Sequence, residues 1–133
     1  MTPIENLHYA LGEMAYAVAR ADGNVQNEER KKFHDIVVSE LGRHHYDFDI
    51  SEIIFRMMDK DKMDPAVTYK WAMGEINRNS QYLSPELKKI FVCVMEKVAE
   101  AFPPVTPNER KVIDRFKKDI EFISGDPIFY ETV

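Results

Sequence analysis

Three carboxylates, Asp22, Glu28 and Glu29, stand within eight residues in the stretch Asp22-Gly23-Asn24-Val25-Gln26-Asn27-Glu28-Glu29. Acidic oxygens beside a glycine that lets the chain reverse are the ligands a hard divalent cation recruits. The run matches the second half of an EF-hand calcium loop, with Asp22, Gly23, Val25 and Glu29 at loop positions 5, 6, 8 and 12. Positions 1 and 3 are Val18 and Arg20, which offer no oxygen, so a true EF-hand is excluded. A less regular divalent-cation site built from Asp22, Glu28 and Glu29 stays open, although Arg20, Arg30 and Lys31 would weaken it by charge compensation. The competing account is structural. Asp22-Gly23 can end one helix with Gly23 at positive φ, and Glu28 and Glu29 can complement the dipole of the next.

Other chemistry-bearing groups are sparser. His44-His45-Tyr46-Asp47-Phe48-Asp49 gathers imidazoles and carboxylates of zinc-binding type, but adjacent histidines diverge and no ligand spacing supports a centre. Glu5-x-x-His8 has the spacing of a di-iron bundle motif and lacks the second copy and two further glutamates that motif needs. Asp59-Lys60-Asp61-Lys62-Met63-Asp64 reads as a charged interhelical loop. Cys93, the only cysteine, lies beside the apolar residues Phe91 and Val94 and reads as a quiet, semi-buried thiol. Met57, Met58, Met63 and Met73 suggest either core filling or an adaptable apolar surface. No catalytic nucleophile motif and no phosphate-cradling glycine loop occurs, so no catalytic and no cofactor-binding residue is assigned.

The elements that must position these groups are marked by punctuation. Thr2-Pro3, Asp64-Pro65, Ser84-Pro85 and Thr106-Pro107 each put a capping side chain before a proline suited to the first helical turn. Thr2/Glu5 and Thr106/Glu109 have capping-box spacing, as does Asp49/Glu52. These starts predict six helices at about 4–21, 27–41, 50–61, 65–79, 85–102 and 107–124, with Gly42 and Gly125 as C-terminal caps and Pro103-Pro104 stopping the fifth. Ile4, Leu7, Leu11, Met14 and Val18 form one apolar stripe on the first helix; Leu87, Ile90, Phe91, Val94 and Val98 form another on the fifth. The fourth helix carries apolar groups on two sides and is expected to lie between layers.

The acidic turn also belongs to a repeat. Sliding the chain by 80 residues lays 14–33 over 94–113, and seven of those 20 positions are identical, among them Val18/Val98, Val25/Val105, Glu29/Glu109 and Lys31/Lys111. Only the first copy keeps Asp-Gly; Phe102-Pro103-Pro104 stands in its place in the second. The expected architecture is an all-α, compact single-domain bundle over 1–133 with two pseudo-symmetric hairpins, 4–41 and 85–124, helices at 50–79 between them and a tail at 125–133.

An Ala-Asp-Gly-x-Val-x-x-x-Glu signature at the bend of a helical hairpin, echoed by a second hairpin, resembles the tellurite-resistance TerB-like family. The resemblance spans 4–124, and its specific part is residues 15–36 with the echo at 95–116. It implies a cytosolic all-helical protein tied to tellurite or other stress resistance, with an acidic divalent-metal site that maps onto Asp22, Glu28 and Glu29. The loss of Asp-Gly from the second copy removes one ligand of a symmetric site.

A net charge of −5 argues against nucleic-acid binding, which needs basic excess. No apolar run approaches the roughly 20 residues of a membrane span, and the first residues lack the pattern of a secretion signal. A single cysteine fits a reducing compartment, so a cytoplasmic location is expected. The functional expectation is a non-catalytic stress-response domain acting through a protein partner; the alternative is a divalent-metal-binding stress protein using the Asp22-Gly23 turn.

Overall fold

The computed structural model describes residues 2–21, 31–36, 39, 49–101 and 105–125, with Asp49 described as backbone alone. Among them the protein is all-helical, without a strand. The helices are α1 (Pro3–Ala19), α2 (31–36), α3 (Asp49–Lys60), α4 (Pro65–Arg78), α5 (Pro85–Glu100) and α6 (Pro107–Asp119), with a 3-10 turn at Ser80–Tyr82. Gly23, Gly42, Pro103, Pro104 and the tail from residue 126 lie outside the described residues. No helix is long and apolar enough to cross a membrane among the residues described.

The four cap-proline pairs act as their side chains dictate. Asp64 accepts from the Val67 amide at 3.0 Å and Ser84 from the Leu87 amide at 3.1 Å. Both Thr2/Glu5 and Thr106/Glu109 close reciprocal capping boxes. In the second box the Glu109 amide donates to Thr106 Oγ1 at 3.1 Å and the Thr106 amide donates to Glu109 Oε1 at 3.0 Å. Thr106→Ala is expected to lower stability by about 1 kcal/mol in urea denaturation, since it strips the acceptor from an otherwise unsatisfied amide. Glu52, expected to reach back toward Asp49, places its carboxylate elsewhere: Oε2 pairs with His34 of α2 at 2.7 Å and Oε1 with Arg56 at 2.8 Å.

The centre of the bundle is α1; α4, whose two-sided apolar pattern predicts a place between layers, packs chiefly on α1. Every residue from Ala10 to Ala19 is buried. On α4 the buried residues are Thr68, Tyr69, Ala72 and Ile76, while Val67 and Trp71 stay exposed. A helix surrounded on all sides must carry small or apolar residues all round, and Ala10, Gly12, Ala15, Ala17 and Ala19 supply the small ones. Gly12 permits the closest crossing. A methyl group there would collide with the Ser51 carbonyl oxygen of α3, and Ser51 Oγ donates to the His8 carbonyl at 2.7 Å across the same contact.

Neighbour contacts order the other helices around α1 as α4, α3, α2, α5 and α6. The Asp61–Asp64 connection joins α3 to α4, and Phe33 of α2 stacks on Phe55 of α3 with ring centroids 4.3 Å apart. Lys32 of α2 reaches the Ala101 carbonyl at the end of α5, and Lys117 of α6 pairs with Glu96 of α5 at 2.7 Å. Tyr69 of α4 donates to Asp119 of α6 at 2.6 Å, and the Arg115 guanidinium lies 4.3 Å from the Tyr69 ring centroid. Burial, with Asp119 adding to it, raises the Tyr69 hydroxyl pKa, so it remains a donor at any physiological pH.

The last helix stops at Asp119, short of the expected 124, and Gly125 is not its cap. Gly125 is buried against the α4–α5 connection, where its amide donates to the Leu83 carbonyl at 2.8 Å. A Cβ at Gly125 would lie 2.6 Å from the Gln81 carbonyl oxygen. The glycine therefore serves a close backbone approach.

Candidate functional site

Asp22, Glu28 and Glu29, the three residues assigned to a divalent cation, lie outside the described residues, as do His44, His45 and Asp47. Ala21, immediately before the acidic turn, is the last described residue after α1, and Lys31 opens the described part of α2. Glu5 is held in its capping box, and His8, four residues from Ile4, puts Nδ1 2.7 Å from that residue's carbonyl. A carbonyl only accepts, so Nδ1 carries the proton. His8 is buried with its ring edge-on to Phe91. Asp64 of the Asp59–Asp64 run caps α4, and the Met63 carbonyl accepts from the Tyr16 hydroxyl at 2.8 Å. Cys93 is half-buried in a shallow hollow between α5 and α6. Among the described residues no three histidine, cysteine, aspartate or glutamate side chains come together as metal ligands.

The site that the structure does assemble is a pocket of about 340 Å3 between α1 and α4. Tyr9 and Glu13, one turn apart on α1, contribute one side; Lys70, Trp71, Gly74, Glu75 and Arg78 of α4 contribute the other. Helical spacing explains the grouping, because i, i+4 on α1 and i, i+3, i+4 steps on α4 each keep their residues on one face. Glu13 is buried, with 2% of its surface exposed, and its Oε1 has no hydrogen-bond partner. Lys70 and Arg78 are exposed, and Trp71 is half-exposed at 49%. Buried Glu13 thus forms the floor and the cations stand at the rim.

The two carboxylates are not equivalent. Glu75 accepts from Arg78 at 2.7 Å and from the Asn79 side chain at 3.4 Å, so its charge is compensated locally. Glu13 has no such cation. Burial, and secondarily the negative charge of Glu75, pushes its pKa from 4.5 up to about 7. The Tyr9 hydroxyl is raised by burial and then by the same two carboxylates, so it stays protonated. An unsatisfied buried carboxyl oxygen carries a penalty of about 1–3 kcal/mol, which a hydrogen-bond donor entering the pocket would relieve. Among the described residues no histidine, serine or cysteine lines the pocket to act as a nucleophile beside Glu13. The arrangement can bind and exchange a proton.

Large apolar side chains are also exposed on α3 and α4. The buried face of α3 is Ser51, Ile54, Phe55 and Met58, and α2 meets α3 at Glu52 and Phe55. Ile53 and Met57 therefore fall on the side of α3 turned from α2, and both are exposed, Ile53 at 55%. Val67 and Trp71 fall on the side of α4 turned from α6 and are also exposed. Of these four, Trp71 lines the α1–α4 pocket with Tyr9 and Glu13.

Motif reasoning passed over Glu13, Tyr9, Glu75 and Trp71, because none belongs to a recognised spacing. One signal was available: between Ala10 and Ala19, Glu13 is the only charged residue. A lone acid in an otherwise apolar and small-residue helix is either shielded or functional. The chain was compared with protein-family models, curated proteins and solved structures, and none of the three yields a match.

Proposed function

We propose that this chain is a non-catalytic, cytoplasmic helical domain of the TerB-like type that acts in a stress or tellurite-resistance-type response through protein–protein contacts. The observation that carries the contact reading is the exposure of Ile53 and Met57 on α3 and of Val67 and Trp71 on α4. Large apolar side chains left exposed on neighbouring stretches of chain are a feature of interaction surfaces. The family reading is supported by burial that repeats at the 80-residue offset: Leu7/Leu87, Leu11/Phe91, Met14/Val94, Val18/Val98 and Phe33/Ile113 are all buried. The non-catalytic reading is supported by a pocket whose strongly shifted acid, Glu13, has no histidine, serine or cysteine beside it among the described residues.

Affinity capture from the cells that make the protein tests the contact reading. The wild type is compared with an Ile53→Ser, Met57→Ser double variant whose helicity is verified by circular dichroism. The expected result is a small set of proteins held by the wild type and depleted about tenfold or more by the variant, in line with loss of two anchoring side chains. Equal recovery by both proteins, or none by either, overturns it.

A further inference from the structure

We propose that the α1–α4 pocket binds a monovalent organic cation carrying an N–H donor on an aliphatic stem, the chemistry shared by a lysine side chain and a free alkylamine. Four observations converge on that class. Glu13 lies at the floor of the pocket, nearly fully buried, with Oε1 lacking a partner. Glu75 is already engaged by Arg78, and Lys70 stands exposed at the rim, so the acceptor left for an entering donor is Glu13. Trp71 of α4 and Tyr9 of α1 both line this space and bring aromatic surface to it, suited to a cation and its methylenes. Gly74 leaves the α4 wall open, since a Cβ there would touch only the movable Arg78 guanidinium. At about 340 Å3 the pocket suits a short chain rather than a large ring system.

Other ligand classes fit less well. An anion would meet the exposed cations Lys70 and Arg78 first and then a buried acid. A divalent cation would find one free carboxylate where it needs several oxygen ligands, and no third metal-ligating side chain joins Glu13 and Glu75 among the described residues. An ammonium donating to Glu13 forms a charge-assisted bond where the structure leaves an acceptor unmet. The assignment stands on the pocket alone: its failure would leave the exposed apolar side chains, and the protein-contact reading, untouched.

Trp71 is the only tryptophan, so its fluorescence reports on this pocket directly. The full chain is titrated at pH 8 with n-butylammonium, n-pentylammonium and N-acetyl-lysine amide, and with 1-butanol and tetramethylammonium as controls. A saturable change is expected for the three amines, with 1-butanol (no charge) and tetramethylammonium (no N–H) at least about tenfold weaker. Tighter binding of the free amines than of the lysine amide assigns a small-molecule ligand; the reverse order assigns a partner's side chain. Glu13→Gln is expected to weaken n-butylammonium about tenfold or more. Glu13 titrates among Tyr9 on its own helix and Glu75, Lys70 and Arg78 on α4, so wild-type affinity is expected to fall about tenfold from pH 8 to pH 6 as Glu13 protonates. Carboxyl carbon NMR of the wild type provides a readout free of any variant: n-butylammonium should lower the Glu13 pKa. Non-saturable fluorescence, binding of 1-butanol as tight as the amine, or a Glu13 pKa unmoved by the amine each overturns the proposal.

Discussion

Raising the pH from 5 to 8 is expected to cost the wild-type protein about 2 kcal/mol of folding stability that Glu13→Gln does not lose. In the folded state Glu13 keeps its proton up to about pH 7, while the unfolded carboxyl releases it near the ordinary 4.5. Between those values the unfolded chain binds fewer protons than the folded one, so stability declines as pH rises. The penalty is absent below the unfolded value and complete above the folded one. The full pKa difference would correspond to about 3 kcal/mol; the opening above the pocket screens part of it. His34, whose pKa is raised by its hydrogen bond to Glu52, adds a loss of the same sign as it deprotonates. The comparison of the two proteins separates these contributions, since His34 is present in both. Urea denaturation at pH 5, 6, 7 and 8 should give converging stabilities at pH 5 and a more stable variant at pH 8. Parallel curves would mean that Glu13 titrates as an ordinary surface acid.

That effect could not be anticipated from motifs, and the reason is physical. What the sequence displays plainly is local. A threonine, serine or aspartate before a proline caps the helix that follows whatever packs against it, so the starts at Pro3, Pro65, Pro85 and Pro107 were legible and four of the described helices begin there. Periodic apolar stripes were legible for the same reason, because Leu7, Leu11, Met14 and Val18 repeat at the helical period and all are buried. Burial of Glu13 depends instead on α4 crossing that turn of α1. The same limit explains why α4 was expected between layers. Val67, Trp71 and Met73 gave α4 two apolar sides, yet Trp71 borders an open pocket, while the small residues of α1 carried less hydrophobic weight and marked the true middle. Gly125 was ambiguous between a cap and a close approach, and only the proximity of Gln81 and Leu83 decides it. Asp22, Glu28 and Glu29 remain an expectation of the sequence, carried into the alternative of a metal-binding stress protein.

Phe55→Ala should have a larger effect on stability, about 3–5 kcal/mol, because its ring is almost fully buried at the meeting point of three helices. It stacks on Phe33 of α2, with centroids 4.3 Å apart, and stands edge-on to Tyr16 of α1 at 6.2 Å. The polar contacts of α2 among the described residues are weak: the His34–Glu52 pair, whose histidine is half-exposed, and a Lys32–Ala101 contact of 3.5 Å. An exposed pair of this kind contributes at most about 1 kcal/mol. Hydrogen–deuterium exchange should therefore show the amides of 31–36 losing protection more than those of α5 and α6. Protection of 31–36 equal to that of α5 in the variant would show that α2 is secured by something other than this aromatic stack. The Trp71 response to n-butylammonium should survive below the variant's unfolding transition, because Tyr9, Glu13 and Trp71 belong to α1 and α4 and none touches the Phe33–Phe55 stack. Phe55 anchors the helix that follows the acidic turn, and Glu13 floors a pocket whose described lining comes from α1 and α4. The two candidate chemistries of this chain can thus be disabled one at a time.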